Sequence, residues 1–312
     1  MRGCANSWKR SISRPNGDAM DVTASPATRA YAAERGVDLA RVAAETGRES
    51  LAREDVDRAL AGGAAPGGDA AKYWRVDHAA FGSVEEEALP RMARVAADNL
   101  SAANAMIPQV THHDRADMRA VEAFRARMKA EAAARGVRLT ALAFHIMALA
   151  RCLREFPRFN ASLSADAATL IVKGYVHVAI AVDTPHGLMV PVIRDADRKG
   201  LWRISADIAD LAGRAQERRL KPEEMAGASM TISNLGGIGG TAFTPIVNPP
   251  ELAILGITRT GTVPVWDGEG WAPVPMAPLD LSYDHRVING ADAARFLARY
   301  AALIGDPRRL IL

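Results

Sequence analysis

The chain has 312 residues, 49% of them hydrophobic and 24% charged, with a formal net charge of +3. That composition fits a soluble chain long enough for two domains, and the balanced charge gives no support to a nucleic-acid sleeve. Two cysteines, Cys4 and Cys152, are too few for a disulfide framework, and no CxxC pair points to zinc. The N-terminus MRGCANSWKR lacks the roughly seven consecutive apolar residues of a secretory signal. The longest apolar run, LTALAFHIMALA at 139–150, is too short to cross a bilayer. A cytoplasmic protein is expected.

Residues 1–22 carry no periodic apolar face and read as a flexible leader. Residues 23–62 hold two short helical patterns. The first starts behind Ser25-Pro26 and stops at Gly36, as a proline at a helix start and a glycine at its end predict. The second is REDVDRALA, and it runs into the Gly-rich stretch 61–71, so a linker is placed over 63–74. A two-helix unit this small suits docking better than catalysis. The remainder, 75–312, mixes both periodicities. RMARVAADNLSAANAM reads as a helix and IPQVTHHDRADM as a strand, and 115–156 as two amphipathic helices parted by Gly136. Strands follow at TLIVKGYVHVAIAVDT and GLMVPVIRDA, then the helix ISADIADLAGRAQERRL. SMTISNL, PELAILGITRT, TVPVW and PMAPLDLSYDH read as strands, and ADAARFLARYAALI as the closing helix. Strands and helices without a regular βαβ period predict an α+β sandwich with a mixed sheet, not a Rossmann fold.

The GGIGG run at 236–240 lacks the Gly-Lys-Ser/Thr of a phosphate loop and reads as a tight backbone crossing. His112 and His113 fall on opposite faces of a strand. Those two, and the isolated His145, His177 and His186, fit packing or surface roles. The segment LSYDHRVINGADAARF differs from these. A strand runs to Tyr283, His285 stands at a turn, and a helix begins after Gly290. A histidine held at such a turn suits a general base, and Asn289 can bond across it; a merely capped turn is the alternative.

DHRVINGAD at 284–292 resembles the active-site signature of the acyltransferase components of 2-oxoacid dehydrogenase complexes. It matches more loosely the histidine motif of chloramphenicol acetyltransferase and of condensation domains. GASMTISNLGGIGGTAFTPIVNPPELAILGITR at 227–259 resembles the family's other long signature. IPQVTHHDRADM, FPRFNASLS, VHVAIAVDTPHGLMVPVIRDAD and the terminal RRLIL fit in the same order, so the resemblance covers about 75–312. It is strongest to the pyruvate-type, dihydrolipoamide acetyltransferase branch. SPATRAYAAERGVDLARV resembles the peripheral subunit-binding domain that precedes the catalytic domain in that family. The next stretch departs from it. AETGRESLARED has only Gly47 where the family has a Gly-rich loop, Ser50 at an arginine position, and Ala52 at a threonine N-cap.

The resemblance implies a chloramphenicol-acetyltransferase-like two-layer sandwich behind a small all-α subunit-binding domain. It implies acyl transfer from a dihydrolipoamide sulfur to the thiol of coenzyme A, without a metal. His285 would be the base, Ser233 the oxyanion donor, and Asn289 would stand where many relatives have aspartate. It further implies a homotrimer with the site between subunits, His285 and Asn289 from one and Ser233 from its neighbour. A larger core would form through Arg309, Leu310, Ile311 and Leu312. Partners would be a lipoyl-bearing protein and the decarboxylase or dihydrolipoamide dehydrogenase components. Relatives carry lipoyl domains of roughly 80 residues, and about twenty residues precede Asp21 here, with Lys9 their sole lysine. Either the lipoyl group is supplied in trans by another protein, or the sequence is a truncated piece of a longer one. Two competing readings are a non-catalytic scaffold of such a complex and an acetyltransferase for a small hydroxyl acceptor.

Overall fold

The structure is a computed structural model, and it describes residues 22–46, 48, 50–60 and 76–311. Residues 1–21 of the leader, the linker, Gly47 and Leu312 lie outside the described residues, and Cys4 and Lys9 with them. The chain divides into two compact units, 1–86 and 87–312.

In the first unit, β1 (Thr23–Ala24) leads into α1 (Pro26–Glu34), followed by α2 (Leu39–Thr46), β2 (Ser50–Leu51) and α3 (Arg53–Leu60). Ser25 caps α1 by accepting the Thr28 N–H, with Pro26 at the first helical position, as the sequence predicts. The unit is not purely helical, because β1 and β2 pair in parallel over two residues. Ala52 offers no side-chain cap to α3. Asp55 compensates in part: its carboxylate is buried, accepts the Ala52 N–H at 2.9 Å and pairs with Arg48 at 3.3 Å.

The second unit begins its core with α4 (Arg91–Met106) and β3 (Gln109–Asp117). The helical stretch that follows breaks into α5 (Arg119–Arg127) and α6 (Lys129–Ala134) before α7 (Ala141–Glu155). The break at Met128 has neither Gly nor Pro to announce it. A hairpin of β4 (Ala161–Leu163) and β5 (Leu170–Val172) precedes β6 (Val178–Ile180) and β7 (Val192–Ile193). Then come α8 (Leu201–Gln216), β8 (Met230–Asn234), β9 (Ala253–Ile257), β10 (Gly261–Trp266), β11 (Trp271–Asp284), α9 (Gly290–Gly305) and α10 (Arg308–Ile311).

The seven-stranded sheet runs β10-β11-β9-β8-β6-β7, with β3 along the other edge of β11. Pairs β6–β8 and β8–β9 are parallel and the rest antiparallel, so the sheet is mixed. Strand alternation sends Met230, Ile232, Leu255, Ile257, Leu279, Leu281 and Tyr283 to one face. There they meet Phe144, Leu149 and Leu153 of α7, Ile204 of α8, and Phe296, Leu297 and Tyr300 of α9. Phe159 and Phe296 stack at 4.1 Å in the middle of this layer. The expected α+β sandwich is what forms. Among the described residues no helix is long and apolar enough to cross a membrane.

The opposite face carries the polar rows Thr231–Ile254–Ser282–Thr111 and Ser233–Gly256–Asp280–His113. The β8–β9 connection, 235–252, runs over this face as a strap. The Phe243 N–H donates to Asp280 Oδ2 at 3.3 Å and the Val247 N–H to Gln109 Oε1 at 2.7 Å.

Candidate functional site

β11 ends at Asp284, and the next five residues turn the chain into α9. Asp284 closes the turn from both sides. Its carbonyl accepts the N–H groups of Val287 and Ile288, and its buried carboxylate takes four bonds from the Arg286 guanidinium and backbone. Its own N–H donates to the Leu252 carbonyl, which ties the turn to the end of the strap. The His285 N–H donates to the Pro108 carbonyl at 3.1 Å. The exposed His285 imidazole has no hydrogen bond among the described residues. Its one aromatic neighbour there is Tyr283, with ring centroids 5.9 Å apart and planes at 30°.

Asn289 is the N-cap of α9. Its Oδ1 accepts the Asp292 N–H at 2.8 Å, which leaves the Nδ2 hydrogens uncommitted. Ser233 sits near the end of β8, half-buried, and its hydroxyl has no partner among the described residues. Hence all three expected residues present a free polar group.

One chain does not bring them together. Ser233 lies opposite Gly256, which lies opposite Asp280, so two strand spacings part it from β11. His285 stands beyond the far end of β11. At about 3.3 Å per residue and about 4.8 Å between strands, the two lie on the order of 20 Å apart. Asn289, on the His285 turn, is brought to the histidine and not to the serine.

Of the other histidines, the side chains of His113, His145 and His177 have partners, while the His112 ring has no hydrogen bond among the described residues. His113 Nδ1 lies 2.6 Å from the buried Asp280 carboxylate. His145 is buried against the Tyr300 hydroxyl at 2.7 Å, and burial holds it down at about 4. His177 accepts the Asp195 N–H and packs on Tyr175. The His186 N–H donates to Thr184. The Gly-rich run forms a tight turn in which Asn234 Oδ1 accepts the Gly236 N–H and Leu235 O accepts from Ile238 and Gly239. Cys152 is buried and its thiol is pushed up to about 12.

Sequence reasoning missed Glu251. It is buried in the strap's last turn, its carboxylate accepts the Thr231 hydroxyl at 2.8 Å, and burial lifts it to about 7. The attraction of Lys173 opposes that shift without cancelling it, and burial also lowers Lys173. Glu251 lines a cavity of about 370 Å³ whose wall includes Asp284 and Arg286, the two neighbours of His285. A carboxylate between two prolines' strap and an apolar strand gives no periodic signal; only its contrast with the apolar ELAIL could have drawn notice.

The fold is thus a mixed-sheet sandwich with a histidine turn after one strand and a serine near the end of another, an arrangement suited to acyl transfer. The chain belongs to the 2-oxoacid dehydrogenases acyltransferase (catalytic domain) family, whose profile matches residues 81–312. The dihydrolipoyllysine-residue acetyltransferase component of the pyruvate dehydrogenase complex of Pseudomonas aeruginosa is 48% identical over 301 residues, 93% of this chain and 55% of that protein. The Azotobacter vinelandii protein of the same description is 45% identical, over 96% of this chain and 48% of its own length. The chain spans about half the length of the curated relatives it matches. A crystal structure of Azotobacter vinelandii dihydrolipoamide acetyltransferase superposes with a TM-score of 0.75 at 49% identity, covering 76% of this chain and 98% of that one. It concerns the role of a serine, a histidine and an asparagine in that enzyme's mechanism. The cubic core of a pyruvate dehydrogenase multienzyme complex matches equally, with a TM-score of 0.75 and 49% identity over the same shares.

Proposed function

We propose that this chain transfers an acyl group, acetyl in the first instance, from S-acyl-dihydrolipoamide to coenzyme A within a 2-oxoacid dehydrogenase complex. One observation carries the reading. Ser233, His285 and Asn289 stand at the same separations along this chain as the serine, histidine and asparagine of the Azotobacter enzyme along that one.

The chemistry follows from the three free groups. A thiol with a pKa near 8.5 is mostly protonated at neutral pH, so the coenzyme A sulfur needs a base. His285 takes the S–H proton as the sulfur attacks the thioester carbonyl. The carbonyl oxygen becomes an oxyanion, which accepts a hydrogen bond from the Ser233 hydroxyl. The carbon–sulfur bond to dihydrolipoamide then breaks, and the leaving sulfur takes the proton back from the imidazolium. The amide hydrogens of Asn289 orient the reacting groups beside His285. Because Ser233 and His285 are on the order of 20 Å apart in one chain, the working site pairs His285 and Asn289 of one copy with Ser233 of the next. A homotrimer, alone or built into a larger core, supplies that pairing.

The remaining partners belong to the same proposal: a lipoyl-bearing protein as donor, and decarboxylase or dihydrolipoamide dehydrogenase components held by the 23–62 module. Catalysis would take place in the cytoplasm. The test is acetyl transfer to coenzyme A by His285→Ala, Ser233→Ala and an equal, reassembled mixture of the two. Each variant alone should lose about 10²-fold or more. The mixture should regain about a quarter of the parent rate, because random pairing gives that share of intact sites. A mixture that stays inactive while the parent survives the same treatment would show that the site is not shared. Failure of the parent with acetyl, isobutyryl and succinyl donors alike would leave the scaffold reading in its place.

A further inference from the structure

We infer that Tyr283 is the positioning residue that fixes the His285 imidazole against the start of α9; the inference rests on the reading of His285 as the base. Tyr283 is the last residue but one of β11, and His285 is the first residue of the turn that follows. His285 is exposed, whereas Tyr283 is 1% exposed and belongs to the main core cluster. The ring is therefore a fixed surface with a mobile one laid against it, at 5.9 Å between centroids and 30° between planes.

Among the described residues Tyr283 is the aromatic ring laid against that imidazole. The neighbouring carboxylate, Asp284, is the group that in many sites holds a histidine. Here it faces the other way, and both of its oxygens are taken by Arg286. No hydrogen bond reaches either ring nitrogen among the described residues. Within one chain the stacked Tyr283 ring is the contact that can set the orientation of the imidazole.

The same ring touches the other half of the turn. A Cβ placed on Gly290 would lie 3.8 Å from the Tyr283 hydroxyl oxygen, so that hydroxyl reaches the first residue of α9. Asn289, immediately before, is the cap of that helix. The Tyr283 hydroxyl thus lies near the backbone beside Asn289, while the ring itself is what lies against His285. β3 and β9 hold Tyr283 in turn, with Val110 and Ala253 opposite it in the ladder. A base displaced by about 1 Å can lose on the order of 10²-fold in rate, so the position of this ring matters to turnover and not to substrate affinity.

The experiment compares Tyr283→Phe, which keeps the ring, with Tyr283→Leu, which removes it, in the full chain. Acetyl transfer to coenzyme A is measured with thermal unfolding and assembly state on the same samples. Tyr283→Phe should hold kcat within about threefold of the parent. Tyr283→Leu should lower kcat by about tenfold or more, with KM for coenzyme A and acetyl-dihydrolipoamide within about twofold. Tyr283→Met serves as the ring-less variant if the leucine chain does not fold. The inference is overturned if a folded, assembled ring-less variant keeps its kcat, if its loss is in KM alone, or if Tyr283→Phe loses as much as Tyr283→Leu. Retention of transfer by His285→Ala would instead remove the base assignment, a separate outcome read in the same assay.

Discussion

Gly256 lies in the row between Ser233 and Asp280, and the strap covers it. A Cβ built there would meet the Phe243 ring at 2.6 Å and 2.7 Å, and the Asp280 Cβ at 3.2 Å. The residue's φ is not in the left-handed region, so an alanine would suffer from space and not from backbone geometry. To regain ordinary carbon–carbon contact the ring must retreat by roughly 1 Å. That retreat pulls on the Phe243 N–H bond to Asp280 and on the strap that begins beside Ser233. Overpacking of this kind costs about 1–3 kcal/mol. The lost freedom of the unfolded chain returns about 0.4–1 kcal/mol. Gly256→Ala should therefore destabilise the second unit by about 1–2 kcal/mol, read as a lower urea midpoint at unchanged slope. In a Phe243→Ala background the same substitution should cost less than about 0.5 kcal/mol, since the obstructing ring is gone. A Gly256→Ala chain as stable as the parent, or a cost unchanged by Phe243→Ala, would refute the reasoning.

Two further predictions concern pH. Burial raises Glu251 from 4.5 to about 7, so the native chain keeps a proton that the unfolded chain releases. Stability should therefore fall as pH rises from about 4.5 to about 7 and then level off. Glu251→Gln keeps a partner for Thr231 and removes this loss; relative to the parent it should gain on the order of 2–3 kcal/mol across that window, measured by urea unfolding at several pH values. His145 behaves oppositely. Its native value of about 4 against 6.5 means that the unfolded chain takes up a proton first, so stability should fall as pH drops from about 6.5 to about 4. Tyr300→Phe strips the ring nitrogen of its partner and should cost about 1–3 kcal/mol in thermal unfolding at neutral pH; an unchanged Tm would mean that this bond contributes nothing.

The site turn was readable because its parts are local. A strand running to Tyr283 and a helical pattern opening after a glycine predict strand, turn and helix; β11 ends at Asp284 and α9 begins at Gly290, though β11 starts at Trp271, four residues before the expected PMAPLDLSYDH. SMTISNL likewise becomes β8 with Ser233 near its end. What escaped is long-range. His113 finds Asp280 only because β3 and β11 pair, and nothing near either residue says so. The buried state of Glu251 depends on a strap whose path no periodicity encodes. TLIVKGYVHVAIAVDT shows the limit of pattern in the other direction. It alternates as one long strand, yet only Leu170–Val172 and Val178–Ile180 pair, and in different sheets. The stretch between them passes Gly174 and takes the chain from one sheet to the other. The contact of Tyr283 with His285 likewise appears only once the turn after β11 is in place.

The partnership of β3 with β11 also bears on how the molecule comes into being. β3 opens the sheet and β11, its neighbour along nine residue pairs, is the last strand in chain order. The His285 turn is then locked to Pro108, at the foot of that first strand. During synthesis β3 must wait, its edge unpaired, while the rest of the unit emerges. Closing so long a loop carries an entropic cost that helps to make such topologies slow to fold and open to aggregation. The histidine turn thus sits at the seam where the first and the last strand of the sheet in chain order are joined.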